Sequence, residues 1–332
     1  MRNILCVTLI ALLGGCTSTS VTEKYQDKRN DIINVKDKVI EFETGNVLIG
    51  SVSRLYMSNK CLLIADHKSV DKQIHIFNKN DFSYLTSIGN FGEGPEEITV
   101  MGCLAIDEAH HQLYVSDHAK QKIFSYDMDS GMVDSLYKPQ VKTAMNETLF
   151  PSEYQYINDT LSIAVLIKPT STSTFNQFLG RWNMNTGEMI PMKYTHPDIQ
   201  KKRITFAASE KAGIYVECYT RHDLMTICSL DGELLYNIYG PDWDGGNGNK
   251  LQSFGTVMIG NDKIFVSYCG EDYARDSFPT KILVFDLEGN YLKTLETGYK
   301  ISDCCYDSFN NRIILSLNDV VQFAYLDIDG II

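Results

Sequence analysis

Apolar residues recur along the chain in short runs, and the runs come in pairs. CLLIAD (61–66) is followed by QIHIFN (73–78), and QLYVSD (112–117) by KIFSYD (122–127). The pairing returns as LSIAVLI (161–167) with FLGRWN (178–183) and GIYVECY (213–219) with LMTICSL (224–230). KIFVSYC (263–269) pairs with KILVFDL (281–287), and RIILSL (312–317) with VVQFAYL (320–326). Short runs rich in β-branched and aromatic residues predict strands, and no long 3.6-residue stripe predicts more than rare helix. Behind each second run stand turn residues: Asn80-Asp81, Asp129-Ser130-Gly131, Asn185-Thr186-Gly187, Asp231-Gly232, Glu288-Gly289 and Asp329-Gly330. Such residues accept the positive φ angles of tight hairpins.

The units repeat at intervals of roughly 40–57 residues, a spacing that signals stacked sheets around an axis. The first run of each pair is read as a blade's inner strand. An outer strand follows five of the turns, as in YLTSI (84–88) and YLKTL (291–295), whereas the sixth is followed only by Ile331-Ile332. An incomplete last blade would leave a bare sheet edge. KVIEF (38–42) has no local partner and fits that gap. The pattern therefore predicts an all-β, six-bladed β-propeller over 36–332, closed by an N-terminal strand at 38–42 that completes the last blade.

Residues 4–13, ILCVTLIALL, follow one basic residue and are too short an apolar run to span a bilayer. Leu13-Gly14-Gly15-Cys16 resembles the bacterial lipobox. That resemblance implies a signal peptide at 1–15 and lipidation of Cys16, an anchor made durable by several acyl chains. The polar stretch 16–35 reads as a tether. Thr17-Ser18-Thr19-Ser20 carries no acidic cluster of the surface-export kind, so the expected location is the cell envelope, on the periplasmic side of the outer membrane. A net charge of −12 argues against a nucleic-acid partner. Among the cysteines there is no CxxC spacing, so a zinc ribbon is not expected. Cys218 and Cys228, on neighbouring strands, could pair, whereas Cys304 and Cys305 should point to opposite sheet faces.

The stretch 88–127 resembles the NHL-type propeller repeat. Gly92-Glu93-Gly94-Pro95 supplies the glycine-rich turn, Leu113 to Asp117 the "lyVaD" strand, and Ile123 to Asp127 the "I-x-v-F-d" strand. The first unit matches from Leu62 to Asn78, the fifth more weakly through ILVFDLEG, and the third and fourth lack the Asp after the inner strand. With its lipobox the chain resembles the Bacteroidetes lipoproteins that carry TolB-like six-bladed propellers. The resemblance implies a fold and an address rather than an activity.

Asp66-His67 and Asp117-His118 occupy equivalent places in adjacent units. The histidines could share a metal near the axis, with calcium or zinc the ions to consider. The aspartates equally suit a local turn role, accepting backbone hydrogen bonds. His110-His111 falls in an outward hairpin. The glycine-rich segment 89–95 lacks the lysine of a P-loop and reads as a crossover. The loop DWDGGNGN (242–249) offers oxygen ligands and Trp243, which could stack on a sugar or peptide. The link 270–281 carries Glu271, Asp272, Tyr273 and Arg275, and Arg221-His222 reaches the same level. Charges beside an aromatic suit recognition. No GxSxG or HExxH occurs. The expected function is a membrane-anchored, non-catalytic binding or scaffold lipoprotein without a required cofactor, engaging an envelope protein, peptide or glycan. The alternative is a hydrolase or lyase with a divalent ion on the axis.

Overall fold

The computed structural model describes residues 22–332 apart from Ser135, Asn249 and Asp276. The expected signal peptide (1–15) and lipidation site (Cys16) lie outside the described residues. Six antiparallel sheets follow one another along the chain. Blade 1 holds Ser53–Met57, Cys61–Asp66, Lys72–Asn78 and Tyr84–Asn90. Blade 2 holds Met101–Asp107, Gln112–Asp117, Lys122–Asp127 and Gln140–Ala144; blade 3 holds Phe150–Asn158, Leu161–Pro169, Phe175–Trp182 and Met189–Pro191. Blade 4 is built from Ile204–Ser209, Ile214–Tyr219, Leu224–Ser229 and Leu234–Tyr239, and blade 5 from Leu251–Gly260, Lys263–Asp272, Lys281–Asp286 and Tyr291–Glu296. Blade 6 has Ile301–Asp307, Arg312–Leu317 and Phe323–Asp327, with Val39–Glu41 as its fourth strand.

The runs read from sequence as inner strands are in fact the second strand of each sheet. The first strands neighbour one another around the axis. A second strand has a blade on either side, so Cys61–Asp66, Ile214–Tyr219 and Arg312–Leu317 are buried at every position. Six apolar clusters hold the ring. Leu63, Ile74 and Val115 pack blade 1 on blade 2, Tyr114 and Trp182 blade 2 on blade 3, and Ile163 and Tyr215 blade 3 on blade 4. Val216 and Phe285 join blades 4 and 5, Phe265 and Ile313 blades 5 and 6, and Ile314 and Ile64 blades 6 and 1.

Cys218 faces the blade 5 side and Cys228 the blade 3 side of one sheet, so these thiols point apart and remain free. Cys304 and Cys305 likewise enter opposite clusters, in line with strand alternation. The turn expected at Asp129-Ser130-Gly131 is instead a short helix, Met128–Val133, N-capped by Asp127, whose carboxylate accepts from Ser130 N at 2.7 Å.

The last blade is completed by antiparallel pairing of Val39, Ile40 and Glu41 with Leu326, Tyr325 and Ala324. Phe42 then stacks on Phe82 of blade 1 at 4.0 Å and on Phe323 of blade 6 at 5.9 Å. The stretch expected as a tether contributes strands of its own among the described residues. Glu23–Tyr25 adds a parallel fifth strand to blade 4, and Ile32–Asn34 adds one to blade 5. Three-residue strands with exposed positions carry too little periodicity to announce themselves. Between them Arg29 inserts its guanidinium, with Nη1 2.7 Å from Asp223 Oδ1 and the two side chains 7% and 0% exposed. Its plane also lies 5.5 Å from the Tyr268 ring and 5.7 Å from those of Phe254 and Phe285.

Burial pushes the Asp223 carboxyl up despite Arg29, so this pair is only partly compensated, and breaking it would strand a buried acid. Arg29→Ala is expected to cost about 3–5 kcal/mol in urea unfolding. A loss below about 1 kcal/mol would show that the N-terminal belt does not brace blades 4 and 5.

Candidate ligand-binding face

The start of each first strand pairs with the end of its second strand, as in Ser53 with Asp66, Met101 with Asp117, Ile204 with Tyr219, and Ile301 with Leu317. The links between second and third strands and the crossovers between blades therefore share one end of the ring. All the sequence-predicted site residues among those described lie on or beside this end.

Asp66 and Asp117 are spent on backbone. Asp66 accepts from Gly50 N at 2.7 Å and Lys68 N at 2.9 Å. Asp117 accepts from Thr99 N at 2.8 Å, Val100 N at 3.1 Å and Ala119 N at 2.9 Å. Each carboxylate thus pins an incoming crossover to the link of its own blade. The neighbouring histidines flank one dipeptide: His67 Nδ1 lies 3.2 Å from Met101 O, and a Cβ on Gly102 would sit 2.3 Å from His118 Nε2. Glycine at 102 is what lets the His118 ring approach the first strand of blade 2 so closely. Among the described residues the group with metal-ligand spacing is Asp107, His110 and Asp159, which contains neither His67 nor His118 and lies at the hairpin end.

The mouth of the channel carries a polar ring that the sequence reading missed, because it was built on the second strands. Arg54 Nη1 donates to Glu153 Oε1 at 2.8 Å, joining blade 1 to blade 3. Asp303 accepts from Leu55 N of blade 1 at 2.8 Å and from Thr256 Oγ1 of blade 5 at 2.7 Å. Thr205 Oγ1 donates to Gly255 O at 2.5 Å, and Ala208 N donates to Gln155 Oε1 at 2.6 Å. Tyr56 faces the Leu104 amide, and Cys103 the Tyr154 amide, across the two remaining junctions. Burial raises the Asp303 carboxyl and pushes the Cys103 thiol up to about 12.

On blades 4 and 5 the recognition residues do converge. The Arg221 guanidinium lies 4.2 Å from the Tyr273 ring centroid, and its Nη2 donates to Tyr273 Oη at 2.9 Å. Tyr273 is 48% exposed, so the pair faces solvent. Glu271 and Arg275 form a second exposed pair at 3.4 Å, while Asp272 accepts from Ala274 N. His222 and Trp243 sit inward of this patch. Trp243 is half-buried, 5.0 Å from Tyr239, 5.7 Å from His196 and 5.9 Å from His222. It packs the crossover down and does not stand as a free stacking platform. Asp244 closes the same loop by accepting from Gly248 N at 2.6 Å.

Comparisons with known proteins agree with the architecture. The model of the DUF5128 family, described as a 6-bladed beta-propeller, matches residues 17–178. No curated protein sequence matches the chain. A structure from Bacteroides fragilis NCTC 9343, described as an exported protein, is similar at 14% identity and a TM-score of 0.57, covering 89% of this chain and 88% of that one. A DUF4221 family member from Bacteroides vulgatus is similar at 11% identity and 0.58, covering 86% and 94%. Luciferin-regenerating enzyme is similar at 8% identity and 0.57, again covering 86% and 94%. At these identities the likeness is one of fold.

Burial lowers the pKa of His67, His75, His118, His196 and His222, with the Arg54 charge adding to the effect at His67. The unfolded chain, with ordinary histidines near 6.5, binds more protons than the native state below that pH. Stability is therefore full above 6.5 and falls as the pH drops through the window below it. Thermal unfolding at pH 7.5 and 5.5 should show a lower midpoint at 5.5, and His67→Gln with His118→Gln should narrow the gap. An unchanged midpoint would contradict the neutral, buried state of these rings.

Proposed function

We propose that the protein is a non-catalytic binding lipoprotein of the cell envelope that engages a peptide or protein through its link-bearing face. The single observation carrying this reading is the Arg221–Tyr273 pair. A guanidinium lies over a half-exposed phenol ring, flanked by Glu271 and Arg275, on the face where Asp66 and Asp117 are already consumed by backbone. Arginine and tyrosine are, with tryptophan, the side chains enriched among those that dominate binding energy at protein interfaces, tyrosine for its area at low entropy cost and arginine for its directed donors. The acidic charge of the whole chain would weakly favour a cationic partner. The lipobox at Leu13–Cys16 supports attachment to a membrane, and its lack of a following acidic cluster supports the periplasmic side.

Two experiments test the reading. Capture from detergent-solubilised envelope extract should enrich a partner that the Arg221→Ala/Tyr273→Ala variant holds about 30-fold more weakly, the equivalent of a 2 kcal/mol hot spot. Equal capture by both forms would overturn the assignment of this patch. For the anchor, Cys16→Ala is expected to move the protein from the membrane pellet to the soluble fraction; retention in the pellet would contradict lipidation at Cys16.

A further inference from the structure

A cavity of about 390 Å³ lies in the groove between blades 1 and 2, apart from the Arg221–Tyr273 patch on blades 4 and 5. It exists because of an unusual link. The third and fourth strands of blade 2 are joined through residues 128–139, which include the short helix, whereas the equivalent connection in blade 4 spans only 230–233. The long link leans towards blade 1 and forms one wall, with Leu136, Tyr137 and Lys138; Ile88 and Lys72 of blade 1 form the other. The glycine-rich crossover closes one end.

Its polar groups are unevenly satisfied. Every acid lining it has an internal partner. Glu96 pairs with Lys138 at 2.7 Å, Glu97 accepts from Gly94 N at 2.8 Å, and Asp134 accepts from Leu136 N at 2.9 Å. Two donors are left over. Tyr126 is 1% exposed, lines the cavity, and its hydroxyl has no hydrogen-bond partner. Lys72 makes no ion pair among the described residues. A buried hydroxyl without a partner is costly, and the Lys72 cation on the wall of the same cavity adds to the demand for an acceptor. Ile88, Pro95, Leu136 and Tyr137 supply the apolar part of the wall, beside the polar Ser87 and Asn90, and Leu136 is 81% exposed.

We propose that this cavity binds a small amphipathic carboxylate, its oxygens accepting from Lys72 Nζ and the Tyr126 hydroxyl and its apolar body covering Leu136 and Tyr137. The volume falls within the range of small-molecule sites. Charge-assisted hydrogen bonds to a carboxylate at a partly desolvated site supply both affinity and direction.

The test uses the full-length protein with four probes: 4-phenylbutyrate, N-acetyl-L-phenylalanine, and the corresponding amide of each. Ligand-observed saturation-transfer NMR and calorimetry read binding. At least one carboxylate should bind about tenfold or more tightly than its amide. Lys72→Gln should remove that preference, and Tyr126→Phe should weaken the carboxylate several-fold while leaving the melting temperature close to wild type. Lys138→Gln, whose charge is already paired, should have the smaller effect. Equal binding of acid and amide, unaltered binding by the Lys72 and Tyr126 variants, or no binding of either acid would each overturn the proposal.

Discussion

Closure of the ring is the constraint on which everything else in this molecule rests. Each blade buries both faces of its second strand only because a neighbour stands on either side, so an open ring would expose two apolar faces at once. The chain closes it with Val39–Glu41, hydrogen-bonded to Phe323–Asp327. Phe42 then reaches past its own sheet to Phe82 of blade 1, so the seam between first and last blade carries aromatic packing as well as backbone pairing. Phe82 holds a left-handed backbone, with φ of 58°, which few aromatic residues adopt; stacking against Phe42 and the Arg312 guanidinium at 4.5 Å holds it there.

The channel chemistry is a consequence of that closure. First strands brought together around an axis cannot be apolar on both sides, because one side faces the channel. Their inward positions are therefore polar and bond sideways: Asp303 reaches two neighbours, and Gln155 and Thr205 one each. These bonds tie the first strands of neighbouring blades to one another around the axis. Arg54 and Glu153 belong to this mouth, and their charges meet across blade 2.

How legible each part was follows from its environment. CLLIAD and IYVECY declared themselves because burial on both faces selects unbroken apolar runs. SRLYM and ISDCCYD did not, since a channel-facing polar residue and a register shift after Ile301 break the alternation. The Asp-His pairs were legible as a repeat, and their aspartates have the turn role that spacing allowed. Their histidines flank a common dipeptide, yet proximity of that kind depends on Gly102, which no local pattern marks. The EKY and IIN strands were hidden for a different reason. They contribute edges rather than core, so most of their side chains stay exposed and polar positions cost nothing.

The loss of the repeat's aspartate in blade 4 connects these themes. In blades 1 and 2 a carboxylate at the end of the second strand holds the arriving crossover. Blade 4 ends that strand in Tyr219, and the carboxylate moves along the link to Asp223, where it accepts instead from Asp242 N of the departing crossover at 3.2 Å. Packing there is close: a Cβ on Gly240 would fall 2.0 Å from Asp223 Oδ2. So displaced, the acid is fully buried and has fewer amides to satisfy it than Asp117 has. Arg29 supplies the missing donor from the N-terminal segment, which explains why that segment crosses blades 4 and 5 before it turns to seal blade 6. The irregular blade and the belt are thus one device, and the exposed Arg221 and Tyr273 pair stands on the part of the ring that the belt braces.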